Sequence, residues 1–389
     1  MNIMTIVTGM RTTKNINQDR RVVDMSKNIA LLQPSKAPLV VLTKRLGSEP
    51  TYNPIFHWLE DDLVGRWDAV NAASGISAAS TSIVVDNADL FNVGDIIKVP
   101  RTGEIMRVTE ITSATHTLTV VRGYGTTDAS DLMDNEPLVI IGNAFKEGSL
   151  SATPKTGVTS TVFNYTQIFK TAVQVSKTQE ATKLYGGSDR AYQRRKKGIE
   201  HAIDIERAAW FGERSEHVNG DEVIRTTGGV LSFIANKCVT YDANNSLTED
   251  AFEKEFLEDL FKYGSDKKTM FCSARVISVI NSWGRHKLQT VVGEDTYGLS
   301  IMKYVSAHGE LLLVKHPLFE GPVYGKMGVA LDLENVKYRP LQGRDTKLET
   351  NIQPNDADYY LDQYLTEAGF MIKLPKTHGI IENVDFPQE

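Results

Sequence analysis

The residues best able to do chemistry in this 389-residue chain are clustered carboxylates. Glu60, Asp61 and Asp62 are consecutive, and Asp128, Asp131 and Asp134 recur at three-residue intervals in a turn-rich stretch. Oxygen-only sets of this sort are what Ca²⁺ ligation or a glycosidase acid pair requires. Neither set has the alternating spacing of a calcium loop, and loop acids without that spacing are ordinarily solvated surface. The eight histidines are dispersed with no H-E-x-x-H, and neither Cys238 nor Cys272 belongs to a C-x-x-C, so a zinc site has no support. No phosphate loop and no G-x-S-x-G nucleophile elbow occurs. Arg122-Gly123-Tyr124-Gly125 has half of a dinucleotide loop, lacks the third glycine, and lies between β-prone runs instead of opening a helix, so it reads as a turn. Asn164-Tyr165-Thr166 fits a glycosylation sequon, which has meaning only in a secreted protein. No catalytic residue, cofactor or metal ligand is assigned.

Composition is that of ordinary globular protein, 41% hydrophobic and 24% charged. No apolar run approaches the ~18 residues of a membrane span, and the N-terminus lacks a signal-peptide layout. The two cysteines lie far apart in apolar surroundings and read as buried thiols. The net charge of −6 is unevenly distributed. Residues 1–45 carry eight Lys/Arg against two acids, whereas residues 70–145 carry four against nine. Such segregation suits contact between copies of one chain.

The most informative element is the stretch 188–211. Ser188 is placed to cap a helix, Gly212 to end it, and Tyr192, Ile199, Ile203 and Trp210 share one face, with Ala202 and Ala209 beside them. The rest of the surface is charge: Arg190, Arg194, Arg195, Lys196 and Lys197 first, then Glu200, Asp204 and Glu206. A helix ~36 Å long with so thin an apolar stripe lies along a surface or bridges between parts. The plainer alternative is a solvated helix held by internal pairs such as Lys196 with Glu200.

Around it the chain divides by texture. Residues 1–45 have few large apolar residues and no sustained period, with Pro34 and Pro38 bracketing a short extended piece. Short β-prone runs at 83–85, 96–99, 104–111, 118–121 and 138–141, separated by turn residues, predict a small antiparallel barrel or sandwich inserted into a hairpin. Gly228 and Gly229 predict a sharp change of direction and a domain boundary. Ser246 with Glu249 fits a capping box before the stripe Phe252, Phe256, Leu260. A strand at 269–272 then feeds a helix at 273–283 with Val276, Ile277, Ile280 and Trp283 on one face, and further strands follow at 311–314 and 329–333. Residues 339–358 read as a polar loop, and 360–365 with 370–374 as a closing pair of strands. The fold class is α+β.

Three stretches in succession make this chain resemble the major capsid proteins of tailed bacteriophages, the HK97-like fold, and within them the SU10-like group with an inserted β-domain. They are Phe91-Asn92-Val93-Gly94-Asp95 followed by Arg101-Thr102-Gly103-Glu104; the charged helix running into Thr227-Gly228-Gly229-Val230; and the ending Tyr364-Leu365-Thr366-Glu367 with His378-Gly379-Ile380-Ile381. The resemblance implies an N-terminal arm (1–45), an extended loop (46–70 and 146–168) carrying the β-domain (71–145), a peripheral domain (169–228 and 356–389) with its spine helix at 188–211, and an axial domain (229–355). It further implies a non-enzymatic protein of the virion, assembled in the host cytoplasm into an icosahedral head shell of hexamers and pentamers. Expected partners are a separate scaffolding protein, portal and decoration proteins, and packaged DNA through non-specific contacts, with no membrane.

A shell subunit needs many moderate contacts with its copies. The expected ones are Glu60, Asp61 and Asp62 of one copy against Arg194, Arg195, Lys196 and Lys197 of another, with Arg190 on the same helix. Exposed pairs contribute only ~0–1 kcal/mol each, so their effect comes from repetition. Two other readings stand beside this one. One is a β-rich structural protein that binds carbohydrate or another partner through residues 75–142, against which only Phe91 and Tyr124 supply aromatic surface. The other is a hydrolase using Asp128 or Asp131.

Overall fold

Ser188 and Gly212 bound the long helix as their types require. In a computed structural model, which describes residues 37–151, 154–183, 187–220, 222–235, 237–283 and 301–386, the Ser188 side chain accepts from Ala191 N–H, and Gly212 closes the last turn on Ala208 O. The expected arm up to residue 36 lies outside the described residues. With α1 at Pro38–Gly47 and α2 at Lys177–Ala181, the long helix Asp189–Phe211 is α3. Its buried face is His201, Ile205, Glu206, Ala209 and Trp210. The predicted stripe shares Ala209 and Trp210 with this face but misses the rest of it, two of whose members are polar and satisfied inside. His201 lies between the Thr171 and Thr366 hydroxyls at 2.9 and 2.8 Å.

Glu206 is the other. Its carboxylate is 1% exposed and accepts four hydrogen bonds: from Leu39 N–H (2.9 Å), Val40 N–H (2.8 Å), Trp210 Nε1–H (3.1 Å) and His316 Nε2–H (2.8 Å). This is how the helix over residues 38–47 starts; the extended piece expected between Pro34 and Pro38 lies mostly outside the described residues. Pro38 supplies the first-turn φ and lacks the N–H that a first turn leaves unpaired, while Glu206 receives the next two. α1 has no side-chain cap of its own, so a carboxylate from a distant helix takes that role at the positive end of its dipole.

The chain divides into two units, 1–58 with 163–389, and 59–162. In the larger unit a six-stranded mixed sheet has the order Val239–Asp242, Gly379–Glu382, Gly328–Leu331, Lys267–Cys272, Glu310–Lys315, Ile301–Val305. One face is covered by Phe252, Phe256, Leu257 and Leu260 and by Val276, Val279 and Ile280. On the other face Phe271 meets Trp210 edge-on, 5.1 Å between centroids. The first of the covering helices is capped by Thr248, not by Ser246, since the Thr248 hydroxyl is the one that accepts from Ala251 N–H. Its middle, Phe252–Leu257, is a π-turn. Lys268, buried beneath its C-terminal end, donates to the carbonyls of Leu260, Tyr263 and Thr377, each at 2.7 Å, and burial pushes its pKa down to about 8. Cys238 and Cys272 are free thiols, the latter buried.

A second sheet of this unit is built on Tyr359–Ile372. The expected closing pair is one continuous strand of 14 residues, paired over ten residues with Gln167–Ser176 and on its other edge with Val336–Pro340 and Lys347–Glu349. The polar residues in its middle imitate a turn in sequence, yet each is satisfied. Glu367 accepts from Arg344 Nε at 2.5 Å and from Thr166 Oγ1 at 3.2 Å. Gly369 admits a close crossing there, since a Cβ would stand 2.6 Å from Tyr165 O and 2.8 Å from the Phe56 ring. Gly229 serves the C-terminal end of α3 in the same way, where a Cβ would meet Ala208 O at 2.7 Å and Gly212 N at 2.8 Å. The chain turns there as expected, and the residues on both sides belong to the same unit.

The smaller unit holds an antiparallel six-stranded sheet, ordered Trp67–Ala69, Pro137–Asn143, Asp95–Lys98, Ile105–Thr112, Thr117–Val121, Ser82–Val84. It closes into a barrel, because Val70, following the first strand, bridges Val85, following the last. Five of the strands carry the expected pattern. The sixth, Trp67–Ala69, has only three residues with an acid in the middle, too little for a period-two signal. Phe91, Ile97, Met106, Val108, Leu118 and Leu138 are among the residues filling the interior.

One end of this barrel is organised by charge. Glu104 and Arg122 side chains are 0% and 6% exposed and pair in a fork, Nε to Oε1 at 2.6 Å and Nη2 to Oε2 at 2.8 Å. Arg122 also donates to the carbonyls of Ser77, Ser80 and Ser130, while Glu104 accepts from Gly123 and Ser130 N–H. The Arg-Gly-Tyr-Gly stretch is thus a turn whose arginine ties three loops together. Burial alone would raise the Glu104 pKa, and Arg122 with the two backbone donors reverses this to a lowered value. Replacing Glu104 with Gln leaves a buried guanidinium uncompensated and is expected to cost about 3–5 kcal/mol, read as a lower urea midpoint of the intact chain. An unchanged midpoint would contradict the role given to this pair.

Candidate inter-subunit contact surfaces

The sequence-predicted contact residues fall on two structural elements. Arg190, Arg194, Arg195, Lys196 and Lys197 occupy the N-terminal half of α3, which packs on the strand Gln167–Ser176. Glu60 ends the strand Ile55–Glu60, which pairs with Ser160–Tyr165, and Asp61 and Asp62 follow it in irregular backbone.

The basic residues are not equivalent. Arg190 and Arg194 converge on Asp362, whose side chain is 1% exposed. Arg190 grips both carboxylate oxygens, at 2.6 and 2.8 Å, and Arg194 Nε adds a third contact at 2.8 Å. Asn351 N–H donates to the same carboxylate at 3.0 Å, and the Arg190 guanidinium lies 4.3 Å from the Tyr360 ring centroid. These two arginines therefore hold the long strand Tyr359–Ile372 to α3 within one chain. Lys197 pairs along the helix with Glu200 at 2.5 Å, three residues on, in place of the expected Lys196–Glu200 pair. Arg195 is exposed and Lys196 partly so. Asp362 was not visible as a partner in the sequence, where it is a single acid in a run of tyrosines and a leucine.

The acidic tip has a different character. Asp61 caps its own neighbour, accepting from Asp62 N–H at 3.0 Å. Beside the acids stand unusually exposed apolar side chains: Leu59 at 66%, Leu63 at 92% and Val64 at 40%. The other acidic cluster is structural. Asp131 accepts from Ala78 N–H at 2.7 Å and Asp134 from Ala72 N–H at 2.9 Å, so both hold turns of the barrel unit. Among the described residues, no three His, Cys, Asp or Glu side chains converge as a metal site requires, and no helix is long and apolar enough to cross a membrane.

Comparison with known proteins adds a family. A model of the SU10 major capsid protein family matches residues 6–385. A major capsid protein of Pseudomonas phage PaMx41 is 26% identical over 364 residues, spanning 89% of this chain and 85% of that protein. Among solved structures, the capsid of a native GTA particle is similar with a TM-score of 0.48 and 11% identity, over 97% of this chain and 98% of that one. A holo-SrpI encapsulin complex from Synechococcus elongatus is similar with a TM-score of 0.41 and 12% identity, over 59% and 78%. The family assignment rests on the first of these matches.

Asp362 sets a pH dependence. Burial alone would raise its pKa, but the two guanidiniums and the Asn351 N–H outweigh burial and hold it far below the usual carboxylate range. In the unfolded chain the same group titrates at ~3.9, so added acid protonates the unfolded state first. Its contribution to stability is complete above about pH 5 and is lost progressively as the pH falls further. Asp362→Asn is expected to remove roughly 3 kcal/mol at neutral pH and to flatten the acid limb of a plot of urea midpoint against pH. An acid limb as steep as that of the parent chain would refute this assignment.

Proposed function

The chain belongs to the SU10 major capsid protein family, a structural protein of the virion, and from that premise we propose that its copies build an icosahedral phage head from hexamers and pentamers. The observation that carries this reading is the family match over residues 6–385, nearly the whole chain. Within the shell, the acidic tip with Glu60, Asp61 and Asp62 is one contact between copies, and the α3 cations Arg195, Lys196 and Lys197 are another. Arg190 and Arg194 act inside the subunit through Asp362, so they support the contact surface without forming it. No catalytic step and no cofactor belongs to this role. Assembly takes place in the host cytoplasm, with a separate scaffolding protein, portal and decoration proteins as partners and packaged DNA touched through non-specific contacts.

The arrangement accords with what closed assembly demands. Identical subunits that bound each other too tightly would trap misplaced neighbours, whereas exposed ion pairs of ~0–1 kcal/mol each give contacts that can be remade until the shell closes. Electron microscopy of the purified chain, expressed with and without a neighbouring scaffolding gene, tests the reading. Rings, sheets or closed shells are expected, and a chain that remains monomeric under both conditions overturns it. Reversing Glu60, Asp61 and Asp62 to Lys is expected to abolish assembly while leaving the circular dichroism of the folded chain unchanged. Shell formation by that variant at the parental protein concentration would remove the tip from the contact.

A further inference from the structure

We infer that a phosphate dianion, free or as a small monoester, binds in a lysine-lined cavity at the edge of the six-stranded sheet, beside Cys238. Such a site is independent of the shell function and needs no second copy of the chain.

The cavity has a volume of about 180 Å³ and lies within the larger unit. Separate segments form its walls. Lys237 and Cys238 come just before the edge strand Val239–Asp242, Asp259 to Tyr263 lie at the end of the first covering helix, and Lys376 precedes the strand Gly379–Glu382. Each wall therefore carries a lysine. The chain as a whole has a net charge of −6, so this cavity is a local reversal of sign. Lys376 offsets Asp259, the one acid of the lining, which leaves the charges of Lys237 and Lys262. Both side chains are exposed, and among the described residues neither has a carboxylate partner. Lys262 lies 5.9 Å from the Tyr263 ring.

Lys268 holds the walls in place. Buried behind the cavity, it donates to Tyr263 O and Thr377 O at 2.7 Å each, joining the helix end beside Lys262 to the loop that carries Lys376. Its third proton goes to Leu260 O, so it adds fixed positive charge and no free donor. Lys237 and Lys262 are the reverse, since an ammonium on a flexible stem meets phosphate oxygens as a point charge. A phosphate group brings about −1.5 to −2 charges at neutral pH and three acceptor oxygens, enough for two cations on separate walls. A carboxylate brings a single charge and leaves one of them unmatched. The volume is below the ~300–1,000 Å³ of pockets for drug-sized molecules, which suits a compact anion and not a nucleoside.

The two cysteines supply the test. Cys238 lines the cavity and is partly accessible, whereas Cys272 is 0% exposed. The purified full chain is alkylated with N-ethylmaleimide, a neutral reagent, and each thiol is followed by mass spectrometry, labelling at Cys272 reporting unfolding. Inorganic phosphate is expected to slow the reaction at Cys238 saturably. At ten times its dissociation constant the slowing should be about elevenfold, the factor 1 + [L]/Kd for an occupied cavity closed to the reagent. Sodium chloride at the same ionic strength should leave the rate unchanged. Lys237→Gln with Lys262→Gln is expected to remove the phosphate effect and to leave the circular dichroism of the folded chain as it is.

A Cys238 rate that does not respond to phosphate overturns the inference. So does slowing that persists in the double variant, which places the anion elsewhere. Equal slowing by acetate makes the cavity a carboxylate seat, and slowing by a short DNA duplex but not by inorganic phosphate makes it a nucleic-acid contact. Either result overturns the assignment, and neither bears on whether the chain builds shells.

Discussion

Four donors from three separate parts of the chain converge on the carboxylate of Glu206, and the larger unit depends on that convergence. A buried charge left unpaired costs several kcal/mol, so α1, α3 and the turn at His316 cannot part from one another independently. The same logic recurs at Asp362, which joins α3 to the strand Tyr359–Ile372, and at Glu104, which gathers three loops of the barrel around Arg122. In each case a carboxylate nearly closed to solvent binds segments that hydrophobic contact alone would leave free to slide. Apolar burial is non-directional, whereas a forked ion pair with backbone donors admits one register.

This division of labour suits a subunit that must keep its shape while forming many contacts with its copies. The inward carboxylates of Glu206, Asp362 and Glu104 are each met by several donors and fix the subunit's shape. Any pair that the exposed Arg195 makes is worth only ~0–1 kcal/mol. Leu59 and Leu63 stand largely exposed beside the acidic tip. A basic stretch on one helix is therefore not one functional surface. Its first two arginines hold the fold together, and the residues that follow face outward.

Much of the organisation was legible in sequence wherever a local rule sufficed. Ser188 and Gly212 bounded α3 because capping involves residues only a few positions apart. Five barrel strands were visible because alternation is a nearest-neighbour pattern, and the family resemblance named from three short stretches agrees with the match over residues 6–385. The misreadings share a cause. The start of α1 left no local sign in the sequence because it is capped by a residue 166 or more positions away. The strand Tyr359–Ile372 looked broken because Thr366 and Glu367 resemble turn residues until Thr166, Arg344 and His201 are in place around them.

By itself the sequence determined the α+β class, the long charged helix, the β-rich insertion and the want of any catalytic motif, since each follows from composition or short-range periodicity. Only the tertiary structure decided which charges are internal. Arg190, Arg194 and Glu206 look like surface residues of a solvated helix, and they are occupied because Asp362, His316 and the first turn of α1 are brought to them from far along the chain. Whether a charge is a structural bond or an outward contact depends on what the fold places within about 3 Å of it, and spacing along one helix carries no record of that.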